Sequence, residues 1–202
     1  MKSQLVRILA LISLVLGLAG CQRDENATSE AKEAVVRSGV KLFNDGALVV
    51  PWSVIVRQVQ EVDEDTQYVL VTFDRLTVER PERCLILYEA CRDNFGEWST
   101  GSGGGACGGP VEGWEEIPPI DSSWGSISDS DAPVISSNMA YYGVVHDHKI
   151  VKVRFTWNDG AVLDADVINS SYLVMRDGQL DARIEGLDVD GAVVYVDAAD
   201  IP

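Results

Sequence analysis

The stretch that decides the fold is Lys149-Ile150-Val151-Lys152-Val153-Arg154-Phe155-Thr156-Trp157, followed by Asn158-Asp159-Gly160 and then Ala161-Val162-Leu163-Asp164-Ala165-Asp166-Val167. In the first run Val151, Val153, Phe155 and Trp157 fall on one face, and Lys152, Arg154 and Thr156 fall on the other. A period of two is the mark of a half-buried strand. Asn-Asp-Gly is a hairpin turn, because its tight return needs a residue at positive φ. On the return, Leu163, Ala165 and Val167 alternate with Asp164 and Asp166. Basic outward residues on one strand then face acidic ones on its neighbour, which sets the register of the pair.

The same grammar continues on both sides. Arg176-Asp177-Gly178 separates Tyr172–Met175 from Leu180–Leu187, and Asp188-Val189-Asp190-Gly191 separates that run from Ala192–Val196. Upstream, residues 52–62 (WSVIVRQVQEV) and 67–79 (QYVLVTFDRLTVE) flank a short polar break, and Cys84–Tyr88 is a continuous apolar run suited to a central strand. Strands at this spacing, and no amphipathic helix longer than two turns after residue 40, predict an all-β fold: a single antiparallel β-sandwich over residues 40–202. Residues 92–138 (rich in Gly, Ser and Trp, and acidic) are expected to form a long loop, with a strand or two hidden in it as the alternative, residues 132–136 being one candidate. A linker between two small β domains is the other arrangement; a single domain is preferred because the strands before the loop alone make a thin core.

The 202 residues carry 16 Lys plus Arg against 32 Asp plus Glu, a net charge of −16. Such a balance argues against nucleic-acid binding and against docking on anionic lipid heads. Two histidines exclude a His-rich metal site.

At the N-terminus, Lys2 and Arg7 precede the apolar run Ile8–Leu18, too short to span a bilayer and suited to the core of a secretory signal. It ends in Leu18-Ala19-Gly20-Cys21, which resembles the lipobox of bacterial prolipoproteins. The resemblance covers about the first 21 residues. It implies removal of residues 1–20 as a signal peptide, acylation of Cys21 with fatty acids such as palmitate, and a membrane-anchored lipoprotein at the cell envelope. The lipid bilayer would be engaged through acyl chains alone, since the remaining chain loses two positive charges and becomes more acidic still. Residues 21–39 are polar at their start and read as a flexible tether, with a short helix over 29–37 as a marginal element. The second half, "YGVV…VKVRFTWNDG…SYLV…GLDVDGAVVY", resembles small immunoglobulin-like β-sandwich segments of exported bacterial proteins, which implies architecture only.

With Cys21 lipidated, Cys84, Cys91 and Cys107 remain, and an exported location permits one disulfide in any of three pairings. Cys84–Cys107 is favoured, because Cys84 sits in a strand and Cys107 at the return of the glycine-rich segment. Gly103–Gly108 matches G-x-G-x-x-G without the helix that a phosphate loop needs, and is read as a flexible loop. Asp188–Gly191 is closer to a hairpin turn than to a calcium loop, and His146-Asp147-His148 to a turn than to a metal site. Asp121, Asp129 and Asp131 are candidate ligands for Ca²⁺, against a solvated acidic loop. Trp98, Trp114 and Trp124 are candidate ligand contacts, for an envelope protein or a glycan. No catalytic motif is marked, and the reading leans away from an enzyme. The favoured function is a non-catalytic binding or interaction module; a carboxylate-dependent hydrolase and a structural accessory of an envelope assembly are the alternatives.

Overall fold

The computed structural model describes residues 25–39, 47–109, 111, 117–127, 138–177 and 181–197. Cys21 and the segment before it lie outside these residues. The described chain is an antiparallel all-β fold of the sandwich type, with one short helix.

The decisive hairpin forms as its pattern dictates. Strands β8 (Lys152–Trp157) and β9 (Val162–Asp166) pair with Arg154 opposite Asp164 and Lys152 opposite Asp166. Arg154 grips Asp164 through two bonds, Nε to Oδ1 at 2.7 Å and Nη2 to Oδ2 at 2.8 Å, while Lys152 lies 3.4 Å from Asp166. Val153, Phe155 and Trp157 are buried beneath, and Gly160 closes the turn at φ 85°. On the other edge of β8 lies β11 (Ala182–Leu187), then β12 (Val193–Val196), which together make the third sheet of the molecule. The β11–β12 turn is held by Asp188, whose Oδ1 accepts the amides of Asp190 and Ala192 at 3.0 and 2.8 Å. That turn is the hairpin expected of this aspartate-glycine sequence.

Two more sheets stack beneath it in turn. The first contains β3 (Thr66–Leu76), β4 (Pro81–Arg92) and β5 (Trp98–Gly109), with β1 (Leu48–Val49) and β2 (Ile55–Glu61) sharing the free edge of β3. The second is β6 (Ile120–Ile127), β7 (Asn138–Val145) and β10 (Ser171–Asp177), in the order β10-β7-β6. Alternate residues of the second sheet face opposite partners. Ala140, Tyr142, Val144 and Leu173 meet Tyr68, Leu70, Leu85 and Leu87 of the first sheet. Met139, Tyr141, Val145, Tyr172 and Val174 meet Val153, Phe155 and Trp157 of the third. Strands β7 and β10 are therefore buried on both faces, which is why they read as apolar runs rather than as alternating ones. In the second interface Phe155 stacks on Trp157 at 5.5 Å between ring centres and meets Tyr172 edge-on at 5.6 Å.

Two expectations are corrected. The segment 92–138 is not one long loop: β5 and β6 lie within it. Glycine is a poor strand former in isolation, but here its bareness is what the packing requires, since a Cβ on Gly105 would stand 2.3 Å from the Leu85 carbonyl oxygen. The Gly103–Gly108 run is accordingly a strand paired with Cys84–Tyr88, not a flexible loop. Residues 132–136 lie outside the described residues. The flexible tether expected over 21–39 is, in its described part, helix α1 (Glu25–Ala34) continued by one wider turn, Val35–Gly39. Ala31, Ala34 and Val35, at the i, i+3, i+4 spacing of one helical face, are all buried. Ala31 and Val35 pack on the outer face of the first sheet against the cluster of Val69, Val71, Phe73, Ile86 and Tyr88. Thr100 Oγ1 donates to the Ala34 carbonyl at 3.2 Å. Tertiary packing holds a helix too short to form alone.

Candidate functional site

The site is built where the first and middle sheets part at one end. Along the inward face of β3 stand Thr72, Asp74 and then Leu76. Thr72 is 1% exposed, whereas Leu76 is 44% exposed, so the face runs from interior to solvent within four residues. Arg83 of β4 lies directly opposite Asp74 and binds its carboxylate as a fork, Nε to Oδ1 at 2.8 Å and Nη2 to Oδ2 at 3.2 Å. On the other side of β3 the pairing with β2 skips between Val56 and Gln58. Arg57 is the extra residue of this bulge, and the bulge aims its side chain at β3, where Nε donates to Thr72 Oγ1 at 2.9 Å.

The surrounding backbone is well fixed. Ser53 Oγ donates to the Val50 carbonyl and accepts the Asp74 amide, both at 2.7 Å. From the middle sheet, the β9–β10 turn reaches over Arg57, with Asn169 Nδ2 donating to the Arg57 carbonyl at 3.3 Å. Asn169 and Ser170 both have positive φ, 51° and 57°, a turn conformation uncommon for residues other than glycine.

Electrostatics divide the four charges unequally. Arg83 is shared by Asp74, which it binds, and by Asp121 of β6, whose carboxyl is pushed up from the usual range by burial and pulled back in part by the Arg83 charge. Asp121 Oδ2 stands where a Cβ on Gly109 would meet it at 3.2 Å. Arg57, by contrast, has no carboxylate partner among the described residues. Burial and then the like charge of Arg83 hold its pKa below the usual guanidinium value, yet a guanidinium remains a cation at any physiological pH. Two half-buried guanidiniums and a buried threonine hydroxyl thus meet, and among the described residues only Arg83 has a carboxylate partner.

Beside this polar floor lies an apolar rim. Leu48 of β1 is opposite Leu76 in the ladder and is 67% exposed; Trp52, in the single turn Pro51–Ser53, is 86% exposed; Val78, in the β3–β4 turn, is fully exposed. Exposed apolar side chains that cluster rather than scatter mark interaction surfaces.

The residues singled out from sequence fare differently. Cys84 and Cys107 form the disulfide, directly across the β4–β5 ladder with Cα atoms 4.0 Å apart, and Cys91 takes no part in it. Trp98 is half-buried and packs against the cluster beneath helix α1, with the Arg92 guanidinium 5.7 Å over its ring. Trp124 stands opposite Tyr141 in the β6–β7 ladder, on a different sheet from Trp98, and Trp114 lies outside the described residues. Of the three, the described backbone places Trp98 in the first sheet and Trp124 in the second. Of the calcium candidates, Asp129 and Asp131 lie outside the described residues, while Asp121 faces the cation of Arg83. Among the described residues no group of three or more His, Cys, Asp and Glu gathers in metal-binding geometry. His148 is exposed in the β7–β8 turn, where Asp147 Oδ1 accepts the Lys149 amide at 2.9 Å. Sequence reasoning missed Arg57 and Trp52. The only traces of them were an arginine inside a β-branched run and a tryptophan set between Pro51 and Ser53.

The buried carboxyl gives a pH prediction. A carboxyl with its folded pKa above the unfolded value holds its proton more tightly when folded. Its contribution to stability is present at pH below the unfolded pKa and is lost as pH rises through the folded one. Asp121→Asn is expected to be at least as stable as the parent at pH 7, with the difference closing as pH falls into the carboxylate range. Denaturant midpoints at pH 7 and pH 4 check this, and an Asn variant clearly weaker at pH 7 contradicts it.

Comparison with family models, curated proteins and solved structures finds no match to this chain.

Proposed function

We propose that this chain is an acyl-anchored lipoprotein of the bacterial cell envelope whose layered β body is a non-catalytic binding module. The anchor rests on Leu18-Ala19-Gly20-Cys21 and the apolar run before it. Two or three acyl chains at Cys21 contribute about 0.8 kcal/mol per buried CH₂, enough to hold an acidic body at a membrane that repels it. The single observation that carries the binding reading is the exposed apolar rim, Leu48, Trp52, Leu76 and Val78, set beside the uncommitted Arg57. This moves the contact surface from Trp98, Trp114 and Trp124 to the β1 end of the first sheet. The partner is an envelope protein or another envelope component with an apolar surface and a negative group.

Each half has its test. Cys21→Ser is expected to leave a precursor that keeps residues 1–20 and takes up no labelled palmitate; normal labelling in that variant removes the anchor. A photocrosslinking side chain at position 52, in living cells, is expected to trap an envelope partner. If no adduct forms there while one forms from position 98, the contact surface is misplaced.

A further inference from the structure

We propose that the apolar rim, Leu48, Trp52, Leu76 and Val78, docks on the interfacial region of the same lipid bilayer that holds the acyl chains of Cys21. The proposal rests on the anchor and binding-module readings and names the partner of that rim.

The length of the leash selects the layer that meets the membrane. Gln22, Arg23 and Asp24 alone stand between Cys21 and Glu25, where helix α1 begins. Four Cα–Cα steps reach at most about 14 Å. Ala31 and Val35, in that helix and the turn that continues it, are buried against the outer face of the first sheet. The first sheet is therefore tied close to the bilayer surface. Stacked sheets add about 10 Å per layer. The outer face of the third sheet, with its Arg154–Asp164 pair, lies beyond the leash. The rim belongs to the tied layer, at the β1 end of the first sheet.

Shape and side-chain type favour lipid over a folded partner. The rim is made of tips: Leu48 and Leu76 end a ladder, Trp52 sits in a single turn, and Val78 caps the β3–β4 turn. Trp52 and Val78 are almost wholly exposed. Such a set falls far short of the roughly 20–30 residues a side of a stable protein interface. A tryptophan with aliphatic neighbours suits the bilayer interface, where the ring body is apolar and its N–H reaches the head groups.

Net charge argues against this contact, but the charge at the rim balances. Arg57, Arg75, Arg80 and Arg83 stand there against Asp74, Glu79, Glu82 and Asp121. Repulsion from the acids elsewhere is screened within about 8 Å at physiological salt. Arginine stems also cover apolar surface while their heads reach lipid phosphates.

The test places the full acylated chain in protein-free nanodiscs of phosphatidylethanolamine and phosphatidylglycerol. In a Cys91→Ala background, a nitroxide is attached through Trp52→Cys, Val78→Cys or Val162→Cys, the last on an exposed edge of the third sheet. Collision with oxygen, which concentrates among acyl chains, is compared with collision with a nickel chelate, which stays in water. The oxygen-to-nickel ratio is expected to be several-fold higher at positions 52 and 78 than at 162. In the unlabelled parent, lipids brominated along the acyl chain are expected to quench tryptophan emission, and Trp52→Phe to lose most of that quenching. Ratios at 52 and 78 no higher than at 162, or quenching unchanged in Trp52→Phe, overturn the proposal. If the rim stays wet on pure lipid while the crosslink at position 52 still joins an envelope protein, the binding module stands and only the lipid partner falls. If the chain does not hold to the discs, the anchor fails and the proposal falls with it.

Discussion

Gly143→Ala is expected to be among the most damaging small substitutions in the molecule, costing about 3 kcal/mol, at the upper end of what overpacking costs. Gly143 lies in β7, between Ser122 of β6 and Tyr172 of β10. A Cβ there would stand 2.5 Å from the Asp121 carbonyl oxygen and 2.5 Å from Tyr172 Oη. Neither neighbour can yield. The first is ladder backbone. The second belongs to a fully buried ring whose edge contact with Phe155 helps to join the middle and third sheets. Gly186→Ala is the milder comparison: its Cβ would meet Ile150 at Cδ1 (2.7 Å), Cγ1 (3.0 Å) and Cγ2 (3.2 Å), an aliphatic side chain that can shift, whereas Gly143 meets ladder backbone. For a domain of this size, 3 kcal/mol lowers the melting temperature by about 6–12 °C. Thermal unfolding of the two variants decides the matter. A Gly143→Ala protein melting within about 2 °C of the parent, or one no worse than Gly186→Ala, shows that the middle sheet is not packed tightly on both faces.

How much of this arrangement was legible follows from what each element depends on. The β8–β9 hairpin was legible as basic residues facing acidic ones across a turn, and Arg154 does meet Asp164, but Val151 and Leu163, expected on the inward face, are exposed, because the strand starts only at Lys152 and the outer end of β9 is left uncovered. The middle sheet was harder. With both faces covered, Met139–Val145 loses its alternation and registers only as apolar. Strand β5 was hidden because its glycines carry no side-chain signal. The role of Gly105 depends on how closely the Leu85 backbone approaches, which is a property of the partner strand. Helix α1 is held by the sheet beneath it, so local propensity gave it little weight. The candidate site was least visible of all. Arg57 reaches Thr72 only because of a one-residue skip in the β2–β3 register, and no single sequence marks where a bulge falls. The tryptophan-rich segment drew attention by composition, whereas Trp52, alone in its turn, is far more exposed than Trp98.

Removing the disulfide is the second large effect, and it bears on the site as well as on stability. Cys84 and Cys107 are 23 residues apart, and they face each other across β4 and β5. In the folded protein the ladder already holds these strands together, so the bond acts chiefly by denying the unfolded chain its open conformations. A closed loop of this length contributes about 3 kcal/mol in the chain-entropy model. The Cys84→Ala/Cys107→Ala protein is therefore expected to unfold at a urea midpoint lower by about 1.5 M if the slope is about 2 kcal/mol/M. Adding a reductant to the parent should reproduce that shift, and adding it to the variant should change nothing. Locally, Cys84 follows Arg83, and the β4–β5 register slips between these two residues, so the disulfide pins the strand where the Asp74–Arg83 fork begins. Cys91→Ala, which leaves the bond intact, should not alter the midpoint. A midpoint unchanged in the double variant would mean that the β4–β5 hairpin persists in the unfolded ensemble, leaving the crosslink no conformations to remove.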